Sequence, residues 1–385
     1  MKKSAFRPIV SALAVSALAT AGALMGVSSA QAATTVVTTI TTPDNELYSQ
    51  YGTSVSPDGS VQAIPAYDSD RVVLAYAATH TYLSVTDPNG DISAPMLAAF
   101  SPDGATLYVT NYDDALVVVI EVASHTVVDT VATPNSENLA VAVSPDGTTL
   151  VVADDYGNFA SFDITNGYAQ IATNNIASYV EAIYFIDNTQ AYFLDYNGQI
   201  DVFNVKTGSQ VSTVNSAASG GSYGVCMTND LSTVIYPYGS DLFIIDATDG
   251  STIATVDLSA DATSLAQCTV TADDSKVLVT EWSSSGQVFV VDIAQASLTE
   301  RVELPEMDDT DGINIMANCE VFVAGYYTNI GVLLLDPSVC TPTAALPDTG
   351  ASPSVIGASL SVSAGLLAAG VIALLVVRRR SASSH

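Results

Sequence analysis

A recurring turn sequence, Ser-Pro-Asp-Gly, is the feature that most restricts the folds open to this chain. It begins at Ser56, Ser101 and Ser144, at steps of 45 and 43 residues. Pro in the second position has the fixed φ that suits a type I turn, and Gly follows in the fourth. After the turn at Ser101 the sequence continues in short apolar, β-branched runs such as Leu116–Val122. The pattern predicts a repeated unit of short strands.

The same spacing continues after the turn sequence has decayed. Further copies align with Ser144 at Phe185, Thr228, Thr271 and Ile315, at steps of 41, 43, 43 and 44 residues. Seven units of this length, each with room for four short strands, have the period of a β-propeller blade. No amphipathic helix is recognisable before residue 350. We therefore expect an all-β fold, a seven-bladed β-propeller over residues 33–340.

The first strand of this domain is predicted to close the ring. Thr35–Ile40 can be laid over Thr126–Val131, the outermost strand of the second copy. The seventh copy continues through Glu320–Tyr326 and Ile330–Asp336, then reaches Pro337 without an outer strand of its own. The N-terminal strand would supply it, and the ladder would cover an edge that otherwise invites aggregation.

The second copy also resembles a known family. Tyr108-Val109-Thr110-Asn111 after the Ser101 turn is similar to the YVTN-type (WD40/YVTN-like) propeller repeat of microbial surface proteins. The resemblance extends from Thr34 to about Asp336, with the match closest in this copy. It implies a propeller displayed at a cell surface. It does not imply an activity, because propellers carry many unrelated functions.

The N-terminus has the pattern of an export signal. Residues 1–32 combine three basic residues with the apolar, Ala-rich run Ile9–Val27. Ala30 and Ala32 fit the small-x-small cleavage pattern, so the mature chain is expected to begin at Ala33. The alternative is a retained membrane anchor.

The C-terminus resembles an LPxTG cell-wall sorting signal of Gram-positive bacteria. The motif itself comprises Leu346, Pro347, Asp348, Thr349 and Gly350. Residues 341–345 would form a short stalk, residues 351–377 a hydrophobic transmembrane helix, and residues 378–385 a basic cytoplasmic tail. The resemblance implies that a sortase cleaves after Thr349 and joins its carbonyl carbon to a peptidoglycan amine. The alternative is a plain membrane anchor behind a chance motif.

Four cysteines agree with an exported protein, in which disulfides persist. We predict the pairs Cys226–Cys268, near the inner strands of adjacent blades, and Cys319–Cys340, which an antiparallel hairpin of copy seven brings to the same end. Spacing alone leaves three pairings open. A metal site is the weaker alternative, since the sequence has no Cys-x-x-Cys pair.

The negative net charge of the chain limits the classes of partner that it can bind. Removal of both terminal signals would leave Arg71, Lys206, Lys276 and Arg301 against 40 acidic residues. So negative a chain repels nucleic acid. One acidic loop, with Asp308, Asp309 and Asp311 beside Gly312, has the oxygen ligands of a calcium site, and a plain polar loop is the alternative. No other cofactor is indicated.

The sequence contains no Gly-x-Ser-x-Gly elbow, P-loop or His-Glu-x-x-His motif. We therefore expect a non-enzymatic, wall-anchored module that binds an unidentified extracellular protein or glycan. Loops Thr133–Asn138 and Ser216–Tyr223 would form part of the binding face, with Tyr223, Tyr236 and Tyr238 as aromatic contacts. A lactonase- or lyase-type enzyme and a structural surface-coat component are the alternatives.

Overall fold

The computed structural model describes residues 34–340, except 44–45, 49, 177–178, 217–223, 284–285, 308 and 337–339. The predicted export signal with Ala30, Ala32 and Ala33, the stalk, the motif Leu346–Gly350 and the two segments after it lie outside the described residues. So does Asp308. Within the described part, no helix has the length and apolar character of a membrane-crossing segment.

The described chain forms seven antiparallel sheets of four strands, so the predicted seven-bladed propeller is confirmed. Blade one comprises β2 (Ser54–Val55), β3 (Val61–Ala66), β4 (Arg71–Tyr76) and β5 (Thr81–Ser84). Blade two comprises β6 (Pro95–Phe100), β7 (Thr106–Asn111), β8 (Leu116–Glu121) and β9 (Thr126–Ala132). Blade three comprises β10 (Asn138–Val143), β11 (Thr149–Asp154), β12 (Asn158–Asp163) and β13 (Ala169–Asn175). Blade four comprises β14 (Val180–Phe185), β15 (Gln190–Asp195), β16 (Gln199–Asn204) and β17 (Ser209–Asn215).

The remaining blades follow the same order. Blade five comprises β18 (Cys226–Met227), β19 (Thr233–Tyr238), β20 (Asp241–Asp246) and β21 (Thr252–Asp257). Blade six comprises β22 (Leu265–Val270), β23 (Lys276–Glu281), β24 (Gln287–Asp292) and β25 (Ser297–Glu303). Blade seven comprises β26 (Thr310–Ile315), β27 (Glu320–Gly325), β28 (Ile330–Leu334) and β1 (Thr35–Ile40). Two short 3-10 helices, Tyr67–Ser69 and Ile164–Asn166, lie in turns.

The N-terminal strand closes the ring as predicted. β1 pairs antiparallel with β28, and its register runs from Thr35 opposite Leu334 to Ile40 opposite Ile330. One sheet therefore contains both ends of the described domain, and its ladder hydrogen bonds replace a free gap between the first and last blades.

The turns after the first strands show which features of the Ser-Pro-Asp-Gly sequence the fold retains. In the Ser-Pro-Asp-Gly turns the Ser Oγ donates to the Asp carboxylate, as Ser101 does to Asp103 at 2.6 Å. The Gly residue has the positive φ that glycine tolerates best, for example 71° at Gly104. Copies five and six keep the hydroxyl and the carboxylate, with Thr228 donating to Asp230 at 2.7 Å and Thr271 to Asp273 at 2.7 Å. The turn geometry is retained although Pro and Gly are replaced in these two copies.

The predicted alignment is wrong by one residue in copies four and seven. The Ser144 amide, which begins the turn in copy three, donates to the carbonyl of Thr149, five residues later. In copies four and seven the turn begins with the amides of Ile186 and Met316, and each donates to a carbonyl only four residues later. The turn is one residue shorter in these two blades, so Phe185 and Ile315 are in fact the last residues of their strands.

The hydrophobic core is divided between the blades. The described residues contain seven buried clusters, and each joins the facing sheets of two neighbouring blades around the ring. Between blades three and four, Phe159 packs against Phe193 and Phe203 with ring centroids 4.7 and 5.1 Å apart. Apolar side chains on both sheet faces explain the nearly continuous apolar strands.

Both predicted disulfides are confirmed. Cys226 and Cys268 join the first strands of blades five and six, with sulfurs 2.06 Å apart. Cys319 and Cys340 join the start of β27 to the segment beyond β28. One bridge therefore links two blades, and the other holds the end of the described chain to blade seven.

Candidate functional site

The two faces of the propeller differ in composition. One face carries the connections after each second strand and those that lead from one blade to the next. Ten described tyrosines and the only tryptophan lie in these connections or at the strand ends beside them. We call this surface the tyrosine face; its aromatic members are Tyr48, Tyr51, Tyr67, Tyr112, Tyr156, Tyr179, Tyr196, Tyr238, Trp282, Tyr326 and Tyr327. The opposite face carries the Ser-Pro-Asp-Gly turns and both His80 and His125.

The rings of this face contact one another across blade boundaries. Tyr48 stacks on Tyr327 of blade seven with centroids 5.2 Å apart. In blade one, Tyr51 meets Tyr67 edge to face at 5.4 Å, and Tyr67 meets Tyr112 of blade two at 5.9 Å. Such pairs are worth about 0.5–1.5 kcal/mol beyond their buried area. The contacts fix the rings in place while leaving part of each exposed.

Carboxylates surround these rings. The Tyr112 hydroxyl donates to Asp155 of blade three at 2.7 Å. Burial raises the pKa of Tyr112, and the hydrogen bond to Asp155 and the charge of Glu137 raise it further. The described connections of this face contain no Lys or Arg; Arg71, the first residue of β4, lies beside one of them and pairs with Glu46 at 3.5 Å. The tyrosine face is therefore aromatic and negatively charged.

Tyrosines 156, 238 and 327 are the most exposed members, with 64, 43 and 42 % of their surface accessible. Tyr238, which was predicted as a contact residue, thus lies on this face. Tyr236 does not, because it is 1 % exposed and packs between blades four and five. Tyr223 and most of its loop lie outside the described residues.

A central cavity of about 140 Å³ is lined by residues of the first strands of all seven blades or by residues next to those strands. Its walls combine small or apolar residues such as Ala98, Ala140 and Ile313 with polar side chains such as Gln267 and Asn314. Glu181 is the one charged residue in the described lining. It is 8 % exposed, and its Oε1 has no hydrogen-bond partner among the described residues.

Glu181 and Asp311 occupy equivalent positions of blades four and seven. Each lies four residues before the end of its first strand, at the point where the ladder register shifts. Burial raises the pKa of Glu181 well above its usual range, and the charges of Asp155 and Asp195 add to this. Burial raises the pKa of Asp311 to about 8; the Trp282 indole N–H opposes the rise and Asp309 adds to it. Neither carboxylate was recognisable as buried from the sequence, because the neighbouring blade covers it.

The predicted calcium loop is described in part. Asp309 lies at the turn before β26, with its amide bonded to the Ser283 carbonyl at 3.0 Å. Asp311 is 1 % exposed, and both of its carboxylate oxygens lack hydrogen bonds of normal geometry to described residues. Among the described residues no three His, Cys, Asp or Glu side chains are grouped to hold a metal. Calcium binding here stays a prediction, because Asp308 is outside the described chain.

In comparisons with known proteins, no family model and no curated protein matches the chain. The propeller fold and the disulfides therefore rest on the structure, whereas the YVTN-type and LPxTG resemblances rest on the residues quoted for them.

Proposed function

We propose that this chain is an exported surface protein that a sortase links to peptidoglycan, and that its propeller binds an extracellular protein or glycan. The support for this location comes from the order of the segments in the amino-acid sequence. An export signal at one end is matched at the other by Leu346–Gly350, an apolar run of membrane-spanning length and Arg378–Arg380. Two disulfides suit an oxidising compartment outside the cytoplasm.

The tyrosine face is the observation that carries the binding proposal. Tyrosine supplies a large, rigid contact area at low entropic cost and a hydroxyl for hydrogen bonding, and it is enriched at binding surfaces. The mutual ring contacts hold Tyr48, Tyr67 and Tyr112 before any partner arrives. Preorganisation of this kind reduces the entropy lost on binding.

Binding is tested with the exported chain against extracellular matrix proteins, surface glycans and small lactones. Saturable binding of a protein or glycan supports the proposal. The combined variant Tyr156→Ser, Tyr238→Ser and Tyr327→Ser should weaken it at least tenfold. The matched control is Val128→Ser, Val211→Ser and Ile253→Ser, which changes three equally exposed outer-strand residues and should bind normally. Lactone turnover without binding would indicate the enzyme, and self-association alone would indicate the coat component.

Anchoring is tested separately in a Gram-positive host. Thr349→Ala should abolish covalent attachment to purified peptidoglycan fragments and leave the chain in the membrane or the medium. Thr343→Ala, outside the motif, is the control and should remain attached. Covalent recovery of the Thr349→Ala chain with wall fragments would overturn the sorting assignment.

A further inference from the structure

Glu181 is a buried acidic residue whose carboxylate lacks a hydrogen-bond donor at one of its oxygens. Its side chain lines the central cavity, it is 8 % exposed, and its Oε1 has no described hydrogen-bond partner. A buried acceptor without a donor costs about 1–3 kcal/mol, and more when it is charged. A fold that retains such a group at a cavity wall leaves a position for a donor from outside.

A second unpartnered group lies in the same electrostatic environment. The Tyr236 hydroxyl is buried and has no hydrogen-bond partner among the described residues. Burial raises the pKa of Tyr236, and the charges of Asp195, Glu181 and Asp201 raise it further. Asp195 and Asp201 already accept hydrogen bonds, from the Gln199 amide at 2.6 Å and from the Gln199 side chain at 2.5 Å. Of these three carboxylates, Glu181 is therefore the one with an oxygen that accepts no described hydrogen bond.

The surroundings specify what kind of donor would fit. Asp155, Asp195 and Asp201 make this part of the interior negative, which favours a cation and excludes an anion. The described residues do not group three metal-ligating side chains. Ala140, Ala182 and Ile183 provide apolar wall for a hydrocarbon stem. A charged head with several N–H donors on an alkyl chain satisfies both requirements.

We propose that the central cavity beside Glu181 binds a protonated primary amine on an extended alkyl chain, as at the end of a lysine side chain. The assignment of that amine to a protein partner rests on the proposed function, and the cavity adjoins the tyrosine face where Gly52 of its lining directly follows Tyr51. The amine site itself is tested without any partner.

The probe is n-butylammonium, with 1-butanol as the uncharged compound of similar size, titrated calorimetrically into the full chain in mild detergent. Butylammonium should bind and butanol should not. Glu181→Gln should weaken butylammonium at least tenfold, because it keeps the shape and removes the charge. Glu303→Gln, whose side chain is 71 % exposed, is the control and should bind as the wild type does. Equal affinity of the wild type and the Glu181→Gln variant would overturn the proposal.

Proton release gives a second readout that needs no variant. Burial and the nearby Asp155 and Asp195 raise the pKa of Glu181, so below that raised pKa the amine displaces a proton as it binds. Titrations at several pH values in two buffers of different ionisation enthalpy should show net proton release that disappears as pH rises. Binding without release would place the amine on an exposed carboxylate and defeat the assignment. Loss of macromolecular binding with intact amine binding would defeat only the proposed function.

Discussion

Ile40 and Ile330 lie opposite each other in an antiparallel ladder, although they come from the first and last strands of the described domain. Ile40 is 7 % exposed and packs in the cluster between blades seven and one. The closing strand is therefore held by side-chain burial as well as by backbone hydrogen bonds.

Replacement of Ile40 by Ala should lower the free energy of unfolding by about 2–4 kcal/mol, because it removes buried methyl groups and leaves a cavity. Val37→Ala is the control in the same strand, since Val37 is 44 % exposed, and it should change stability by less than about 0.5 kcal/mol. Urea denaturation measures both. Equal, small effects would mean that the strand frays before the ring unfolds.

The Ser-Asp turns predict a loss of stability in acid. The Ser101 hydroxyl and the Ala105 amide donate to Asp103 at 2.6 and 3.0 Å, and the Ser101 bond is the largest cause of its lowered pKa. A lowered pKa contributes stability that is present above the unfolded-state value, near 3.8, and is lost as pH falls through the folded-state value. Asp103→Asn should cost about 0.5 kcal/mol at pH 7, because solvent screens this exposed site, and almost nothing once the pH is below the lowered folded-state pKa.

Thermal unfolding between pH 2 and 7 checks this dependence. Asp113→Asn, an exposed carboxylate on the opposite face, is the matched control and should follow the wild-type curve. A constant difference between Asp103→Asn and wild type at every pH would show that the carboxylate charge is not responsible.

The sequence was sufficient for the blades and the closing strand, because each depends on spacing along the chain. The cysteine pairs needed the predicted blade positions as well, since spacing alone left three pairings open. It was insufficient where a neighbouring blade decides the outcome. Tyr236 and Tyr238 are two residues apart in one strand, yet the first is covered between blades and the second reaches the end of the sheet. The burial of Glu181 and Asp311 was not predicted either, since Glu181 was not singled out and Asp311 was predicted only as a calcium ligand. Only one described member of the tyrosine face, Tyr238, was predicted as a contact, because the other rings come from connections of several blades that meet only in the folded ring.

The two disulfides should differ in their contribution to stability. Cys226–Cys268 closes a separation of 42 residues and Cys319–Cys340 one of 21. Loop-closure entropy predicts losses of about 4 and about 3 kcal/mol when each pair is replaced by alanines. Urea denaturation of both paired variants, with and without reductant, measures the difference. A larger loss for the Cys319–Cys340 pair would show that anchoring of the chain end outweighs the restriction of the unfolded chain.

The raised pKa of Asp311 predicts a pH dependence of stability that is opposite in sign to that of the Ser-Asp turns. Its pKa is raised from 3.8 to about 8, mainly by burial, so the folded state holds the proton more tightly than the unfolded state. Stability should therefore fall as pH rises from about 4 to about 8 and level off above that. Asp311→Asn should remove this slope and stabilise the protein by about 1–3 kcal/mol at pH 8, because it removes a charge that burial and the nearby Asp309 disfavour.

The Asp311→Asn variant also tests whether the predicted calcium loop before β26 binds calcium. Asp114→Asn, an exposed carboxylate, is the control and should keep the wild-type slope. Without a bound cation, added calcium should leave the melting temperature of the wild type unchanged at pH 8. If calcium raises it and Asp311→Asn both abolishes that rise and destabilises the fold, the carboxylate is a metal ligand. The raised pKa then describes only the empty site, since a ligand that binds the folded state alone stabilises it.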